Sequence, residues 1–281
     1  MHAKTELSGY GKSLALEVLK ENYSQISTEL LLEHAKLYHK SYDTRVPLSG
    51  LHCASFFGIV EVVVALIDVG GSDINGEGYR GHTPLSLAAY NGHEEVVKIL
   101  LGRGEVVPDK VNKFGRTPLL DAAQNGHERI VKILLEREEV DPDKSDKWGE
   151  TPLLDAARNG HEGVVKILLE REEVDPDKPD KWGEAPLSHA ARNGHEGVVK
   201  ILLEREEVNP DNPNKYGSTP LSYAARNGRE GVVKILLERE EVSLDKRNQF
   251  GETPLSYAAK EGHEKTLALL QSRKVVTPST T

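Results

Sequence analysis

Gly149-Glu150-Thr151-Pro152-Leu153-Leu154-Asp155-Ala156-Ala157-Arg158-Asn159-Gly160-His161-Glu162-Gly163-Val164-Val165-Lys166-Ile167-Leu168-Leu169 is the stretch whose reading decides the fold. Thr151 is a natural helix N-cap, and Pro152 suits the first helical position, where a missing N–H leaves nothing unpaired. Leu153, Ala156 and Ala157 give a short helix with a small-residue face. Gly160 supplies the positive-φ residue that ends it. His161-Glu162 opens a second helix, in which Val164, Val165, Leu168 and Leu169 have amphipathic spacing.

The same phrase returns along the chain. Glycines stand 34 residues apart at Gly81, Gly115, Gly149, Gly183, Gly217 and Gly251. Each is followed by Thr-Pro-Leu or, in one copy, Ala185-Pro186-Leu187, which lacks the capping oxygen. A fixed period of this length predicts a stacked-repeat solenoid, each unit burying its apolar face against its neighbours. The repeats are expected at 47–80, 81–114, 115–148, 149–182, 183–216, 217–250 and 251–274. The first is degenerate, with Ser49-Gly50 in place of Thr-Pro, and the last is short. Residues 1–46 do not follow the period; their apolar positions predict a helical cap over the first repeat, and residues 275–281 a flexible tail.

Composition agrees with an open stack. A hydrophobic content of 37% is low for one large core but suits an apolar layer one repeat thick. A single cysteine, Cys53, allows no intrachain disulfide and points to a reducing compartment. With no apolar run of membrane-spanning length and no secretory leader, the expected location is the cytoplasm, with the nucleus as the alternative. The net charge of −9 disfavours generic binding to nucleic acid or anionic membrane.

Gly-x-Thr-Pro-Leu, Ala-Ala, Gly-His and Val-Val-x-x-Leu-Leu, in that order, resemble the ankyrin repeat. The resemblance covers about residues 47–274. It implies an all-α ankyrin-repeat solenoid of helix-turn-helix units with β-turn or hairpin fingers, about seven repeats behind the helical cap. The period is one residue longer than the family's usual one. The histidine that usually follows Thr-Pro-Leu survives only as His52. The longer connection and the Asp-Lys-Trp-Gly-Glu phrase also resemble ankyrin tails of fungal NACHT-type, NLR-like proteins.

Chemistry is sparse. Gly9-Tyr10-Gly11-Lys12-Ser13 lacks the first glycine and preceding strand of a phosphate-binding loop. His93, His127, His161, His195 and His263 precede glutamates, but the fifth position of a zinc-protease motif is never histidine. A structural role at the second helix's start is expected for them. His189 and His195, six apart across a glycine break, are poorly spaced as metal ligands. No catalytic residue, metal or cofactor is expected, and the chain is read as a non-enzyme.

Comparison among copies locates the variation. Val-Lys-Ile-Leu-Leu-Glu-Arg-Glu-Glu-Val is unchanged at 131–140, 165–174, 199–208 and 233–242. The turns and first helices change instead. In ankyrin proteins the matching positions line the concave binding face, which implies a protein-binding surface here. Its candidates are an aromatic ladder of Phe114, Trp148, Trp182, Tyr216 and Phe250; the turn positions Arg116, Glu150 and Glu184; and the first-helix positions Asp121, Asp155, His189, Tyr223 and Tyr257 with the basic row Arg158, Arg192 and Arg226. Lys260 continues that row. A cationic floor toward the carboxy-terminal half and an acidic floor of Asp121 and Asp155 suit an extended or helical protein segment of complementary charge. The Glu-Arg-Glu-Glu connections are expected to be a solvated face. The expected function is a monomeric, non-catalytic protein-interaction module, the alternative being the ligand-sensing part of a larger NLR-like receptor.

Overall fold

A computed structural model describes residues 48–276. The expected cap at 1–46 and the rejected phosphate-loop stretch lie outside the described residues. Fourteen α-helices and no strand occur among the described residues. In chain order they are α1 (Gly50–Phe57), α2 (Val60–Val69), α3 (Pro84–Asn91), α4 (Glu94–Leu101), α5 (Pro118–Gln124), α6 (Glu128–Leu135), α7 (Pro152–Asn159), α8 (Glu162–Leu169), α9 (Pro186–Asn193), α10 (Glu196–Leu203), α11 (Pro220–Arg226), α12 (Glu230–Leu237), α13 (Pro254–Lys260) and α14 (Glu264–Val276). No helix among them is long and apolar enough to cross a membrane. The last of them runs to Val276.

The chain divides into two compact units. Residues 48–121 with 136–140 form the first, and residues 122–135 with 141–276 the second. In the first, α1 packs on α2 and α3, and α4 on α3 and α2. In the second, the first helices of successive repeats stack as α7, α9, α11 and α13, and the second helices as α6, α8, α10, α12 and α14. Each first helix also packs on its own second helix.

The local rules operate as the sequence predicts. The Thr151 side chain accepts the Leu154 N–H, Pro152 opens α7, and Gly160 closes it at φ 78°. Thr83, Thr219 and Thr253 form reciprocal capping boxes with Ser86, Ser222 and Ser256. In the degenerate first repeat Ser49 takes the cap, its hydroxyl accepting the His52 N–H. The alanine pairs Ala156–Ala157, Ala190–Ala191 and Ala224–Ala225 are wholly buried, so larger residues there would push adjacent first helices apart. The second helices contribute the larger apolar residues. Leu168 is fully buried, and Leu168→Ala would cost about 2–5 kcal/mol.

Three kinds of polar tie join repeats of the second unit to their predecessors. The first uses the recurring histidine. Nε2 of His161, His195 and His263 bonds the carbonyls of Gln124, Arg158 and Arg226, 37 residues back, at 2.9–3.0 Å. Arg229, which replaces histidine in one copy, makes the same contact to Arg192 O. The second tie comes from the invariant Glu-Arg-Glu-Glu. Arg171 and Arg205 donate to Leu135 O and Leu169 O, the carbonyls ending the preceding second helix, at 2.7 and 2.5 Å. In the third, Lys178 and Lys246 reach Asp143 and Asp211. The connections are therefore partly structural rather than only a solvated face, and the uniformity of that arginine has a packing cause.

Candidate functional site

Each finger of the second unit is a turn held by one asparagine or aspartate. In the finger that joins repeats 149–182 and 183–216, Asp180 Oδ1 accepts the N–H groups of Trp182 and Glu184 at 2.8 and 2.9 Å. Asp146, Asn214 and Asn248 do the same in the other fingers of this unit. Gly183 completes the turn at φ 80°, and a Cβ there would meet Lys215 N at 2.9 Å. Neighbouring fingers are joined by Lys181 N–H to Trp148 O, Lys215 N–H to Trp182 O and Gln249 N–H to Tyr216 O, at 2.9–3.0 Å. The fixed backbone leaves the rings outside: Trp148 is 40% exposed, Trp182 43%, Tyr216 46% and Phe250 72%.

Beneath Trp182 lies a cleft of about 370 Å³ lined by Arg158, Asp180, Trp182, Glu184, His189, Arg192 and Asn193. His189 is its buried centre. Arg158 Nε–H donates to His189 Nδ1 at 3.3 Å, so the ring's proton sits on Nε2 and is donated to Asp180 Oδ2 at 3.0 Å. Burial pushes the Asp180 carboxyl up, but the hydrogen bonds from His189 and from the Glu184 and Trp182 N–H groups outweigh it and hold the group below its ordinary range. Glu184 receives Arg192, Asn214 and the Tyr223 hydroxyl on one oxygen. Burial, then the bond to Glu184, drives the Tyr223 hydroxyl well above its usual range. The Arg192 guanidinium lies over the Tyr223 ring, 4.0 Å from its centroid.

Asp180, Glu184 and His189 bring one possible metal-ligand atom each within 4.8 Å of one another. The spacing 180, 184, 189 crosses from a turn into a helix, and sequence reasoning did not find it. The histidine lone pair is already committed: Arg158 holds Nδ1, and a metal at Nε2 would have to displace the proton fixed there. The cluster is a hydrogen-bonded brace linking finger to first helix. The other histidine considered, His195, turns away to Arg158 O.

The predicted residues thus separate into two groups. The aromatic ladder stands at the surface, with Phe114 half-buried under the Arg80 guanidinium at 5.3 Å. Most of the charged residues lie deeper and are paired. Asp155 is fully buried and bonded by Arg158, which also binds Glu150. In the first unit Asp121 is buried against Arg116 at 3.0 Å, with His82 Nδ1 3.7 Å from its other oxygen. Burial raises its carboxyl despite those two neighbours. Asp121 and Asp155 therefore form no exposed acidic floor. The cationic floor is also largely neutralised: Arg158 by Glu150, Arg192 by Glu184 and Lys260 by Glu252, eight residues apart each time. Arg226 differs. Ser218 stands where the acid would be, and Arg226 is exposed with its guanidinium 5.5 Å from the Tyr257 ring centroid.

The finger, the paired helices and the glycine-histidine junction recur together from copy to copy, and the sequence scores accordingly. A family model described as ankyrin repeats (3 copies) matches residues 14–108, 104–180, 171–248 and 207–278. The chain belongs to the ankyrin-repeat family. Among solved structures, the crystal structure of the human ASB11 ankyrin repeat domain is similar at 29% identity and a TM-score of 0.68. The likeness covers 79% of this chain and 98% of that one. Ankyrin repeats are generally protein–protein interaction modules and typically non-catalytic, which fits a cleft whose imidazole and carboxylates are spent on one another.

Proposed function

We propose that this ankyrin protein is a monomeric interaction module that recognises a segment of another protein on the face made by its finger tips and first helices, the concave face of the family. The observation that carries the reading is the row of exposed rings Trp148, Trp182, Tyr216 and Phe250 on backbone-tied turns. Large rings held in place lose little conformational entropy on binding, and aromatic and arginine residues supply most interface hot spots. The hydrogen-bonded brace around His189 supports the reading, because it makes the floor rigid before a partner arrives.

The test is affinity capture from a source lysate, with the native chain beside a folded variant carrying Trp148→Ala, Trp182→Ala and Arg192→Glu. A protein retained by the native chain and lost by the variant supports the face. Equal retention by both places recognition elsewhere on the molecule.

A further inference from the structure

The finger tips carry a second row beside the aromatic one. Lys147, Lys181 and Lys215 immediately precede Trp148, Trp182 and Tyr216, and all three are exposed. None has an ion-pair partner among the described residues, whereas the acids of the same face are consumed by Arg158, Arg192 and Lys260. Arg226, released by Ser218, adds a cation at the carboxy-terminal end. The whole chain is acidic, but this edge presents uncompensated positive charge alternating with rings.

We propose that the tips bind an acidic segment in the polyproline II conformation, read three residues at a time. This rests on the finger-tip face proposed above and names the chemistry of its partner. Stacked helices lie about 8–10 Å apart, and one finger accompanies each helix pair. Polyproline II advances about 3.1 Å per residue with three residues per turn, so every third side chain returns to one side after about 9 Å. A β-strand fails the same match, because its side chains alternate with period two. Aromatic grooves suit polyproline II, whose backbone is already ordered and whose prolines pack flat on rings. The register follows. Apolar or proline residues at every third position sit on Trp148, Trp182, Tyr216 and Phe250. Acidic residues, also three apart, face Lys147, Lys181 and Lys215. Gln249 replaces lysine before Phe250, so the acidic requirement is weaker at the fourth tip, where the nearby exposed cation is Arg247, whose guanidinium donates to Gly251 O.

Fluorescence anisotropy with labelled synthetic peptides tests the register. One probe is five copies of Glu-Pro-Leu; the control is five copies of Glu-Pro-Leu-Ser, with equal charge and proline count but four-residue spacing. The expected result is at least tenfold tighter binding of the three-residue peptide. That binding should fall at least tenfold in the Lys147→Glu, Lys181→Glu, Lys215→Glu variant and partly in the corresponding glutamine variant. All three sites are exposed, and circular dichroism verifies folding. Equal affinity for the two spacings, binding unchanged by lysine reversal, no binding of either peptide, or tighter binding of a fifteen-nucleotide oligo-dT each overturns the proposal. A captured partner that depends on Trp148 and Trp182, combined with any of those results, refutes the peptide register alone. Equal capture by native and variant baits refutes the face beneath it.

Discussion

Ala185 is the one first-helix cap in the second unit without a capping oxygen, and restoring it gives a quantitative test of the structure. Its backbone, at φ −78° and ψ 162°, matches that of Thr151 and Thr219, so a threonine fits without rearrangement. The missing group also leaves a mark: the Ser188 hydroxyl is buried and has no hydrogen-bond partner. In the equivalent boxes Ser222 and Ser256 are engaged by the threonine and its backbone. Ala185→Thr should contribute about 0.5–2 kcal/mol from the cap. A further ~0.5–1.5 kcal/mol should come from drawing Ser188 into a reciprocal bond. The expected total is about 1–3.5 kcal/mol. With an m value of about 3 kcal/mol per molar urea, the midpoint should rise by about 0.3–1 M. Urea denaturation followed by tryptophan fluorescence is the assay, since Trp182 lies three residues away. A double-mutant cycle isolates the mechanism. Ser188→Ala should be neutral or stabilising in the native chain but should cost about 0.5–1.5 kcal/mol in the Ala185→Thr background. An unchanged midpoint, or the same Ser188→Ala effect in both backgrounds, would refute the cap assignment.

Further predictions concern the ties, the titrating connection and the ladder. Gly160→Ala should destabilise by about 2–3 kcal/mol, because it forces alanine to positive φ and places Cβ 2.6 Å from the His195 ring that bonds Arg158 O; a midpoint loss below about 1 kcal/mol in urea titration contradicts this. Arg205→Ala should cost about 1–2 kcal/mol by stranding Leu169 O, although the residue is exposed, whereas Glu206→Ala beside it should be near neutral. Burial raises the Asp177 carboxyl from 3.8 to about 6, against hydrogen bonds from Asn209 and Asn212. Between those values the folded chain retains a proton that the unfolded chain has released, so this group's contribution to stability falls as pH rises from about 4 to 6. Asp177→Asn should flatten that part of the stability profile, by no more than about 1 kcal/mol after solvent screening; an unaltered profile from chemical denaturation at several pH values counts against it. Trp182→Ala should leave the thermal midpoint nearly unchanged while reducing partner capture, and a large midpoint loss would show that the ring serves the stack instead.

Much of the architecture could be read because repetition turns local rules into a pattern. Thr151, Pro152 and Gly160 each act within a few residues of their own position, and 34-residue recurrence makes each assignment several times over. The parts that escaped depend on contacts 34–37 residues apart, which a repeat's own pattern does not announce. Arg171 and Arg205 looked like solvent charge because nothing nearby needs them; their targets are carbonyls one repeat back. Asp155 looked like a surface acid because first-helix positions vary among copies. It is buried because Arg158 closes over it, and the variation partly records which partner each copy adopted. The finger residues Asp146, Asp180, Asn214 and Asn248 were legible but overlooked: an aspartate or asparagine stands two positions before every aromatic of the ladder in that unit.

The ties between repeats also bear on how such a chain changes length over generations. Their acceptors at Gln124, Arg158 and Arg226, and at Leu135 and Leu169, are all main-chain carbonyls, which every residue carries. Removal or duplication of one 34-residue block within the second unit, as misaligned recombination between near-identical copies produces, sets each donor opposite an equivalent oxygen. For these two kinds of tie, no second substitution is needed to repair the junction. A row of tips can thus lengthen or shorten one at a time with these ties re-formed at each step, so that selection acts on how many tips there are separately from what each one carries.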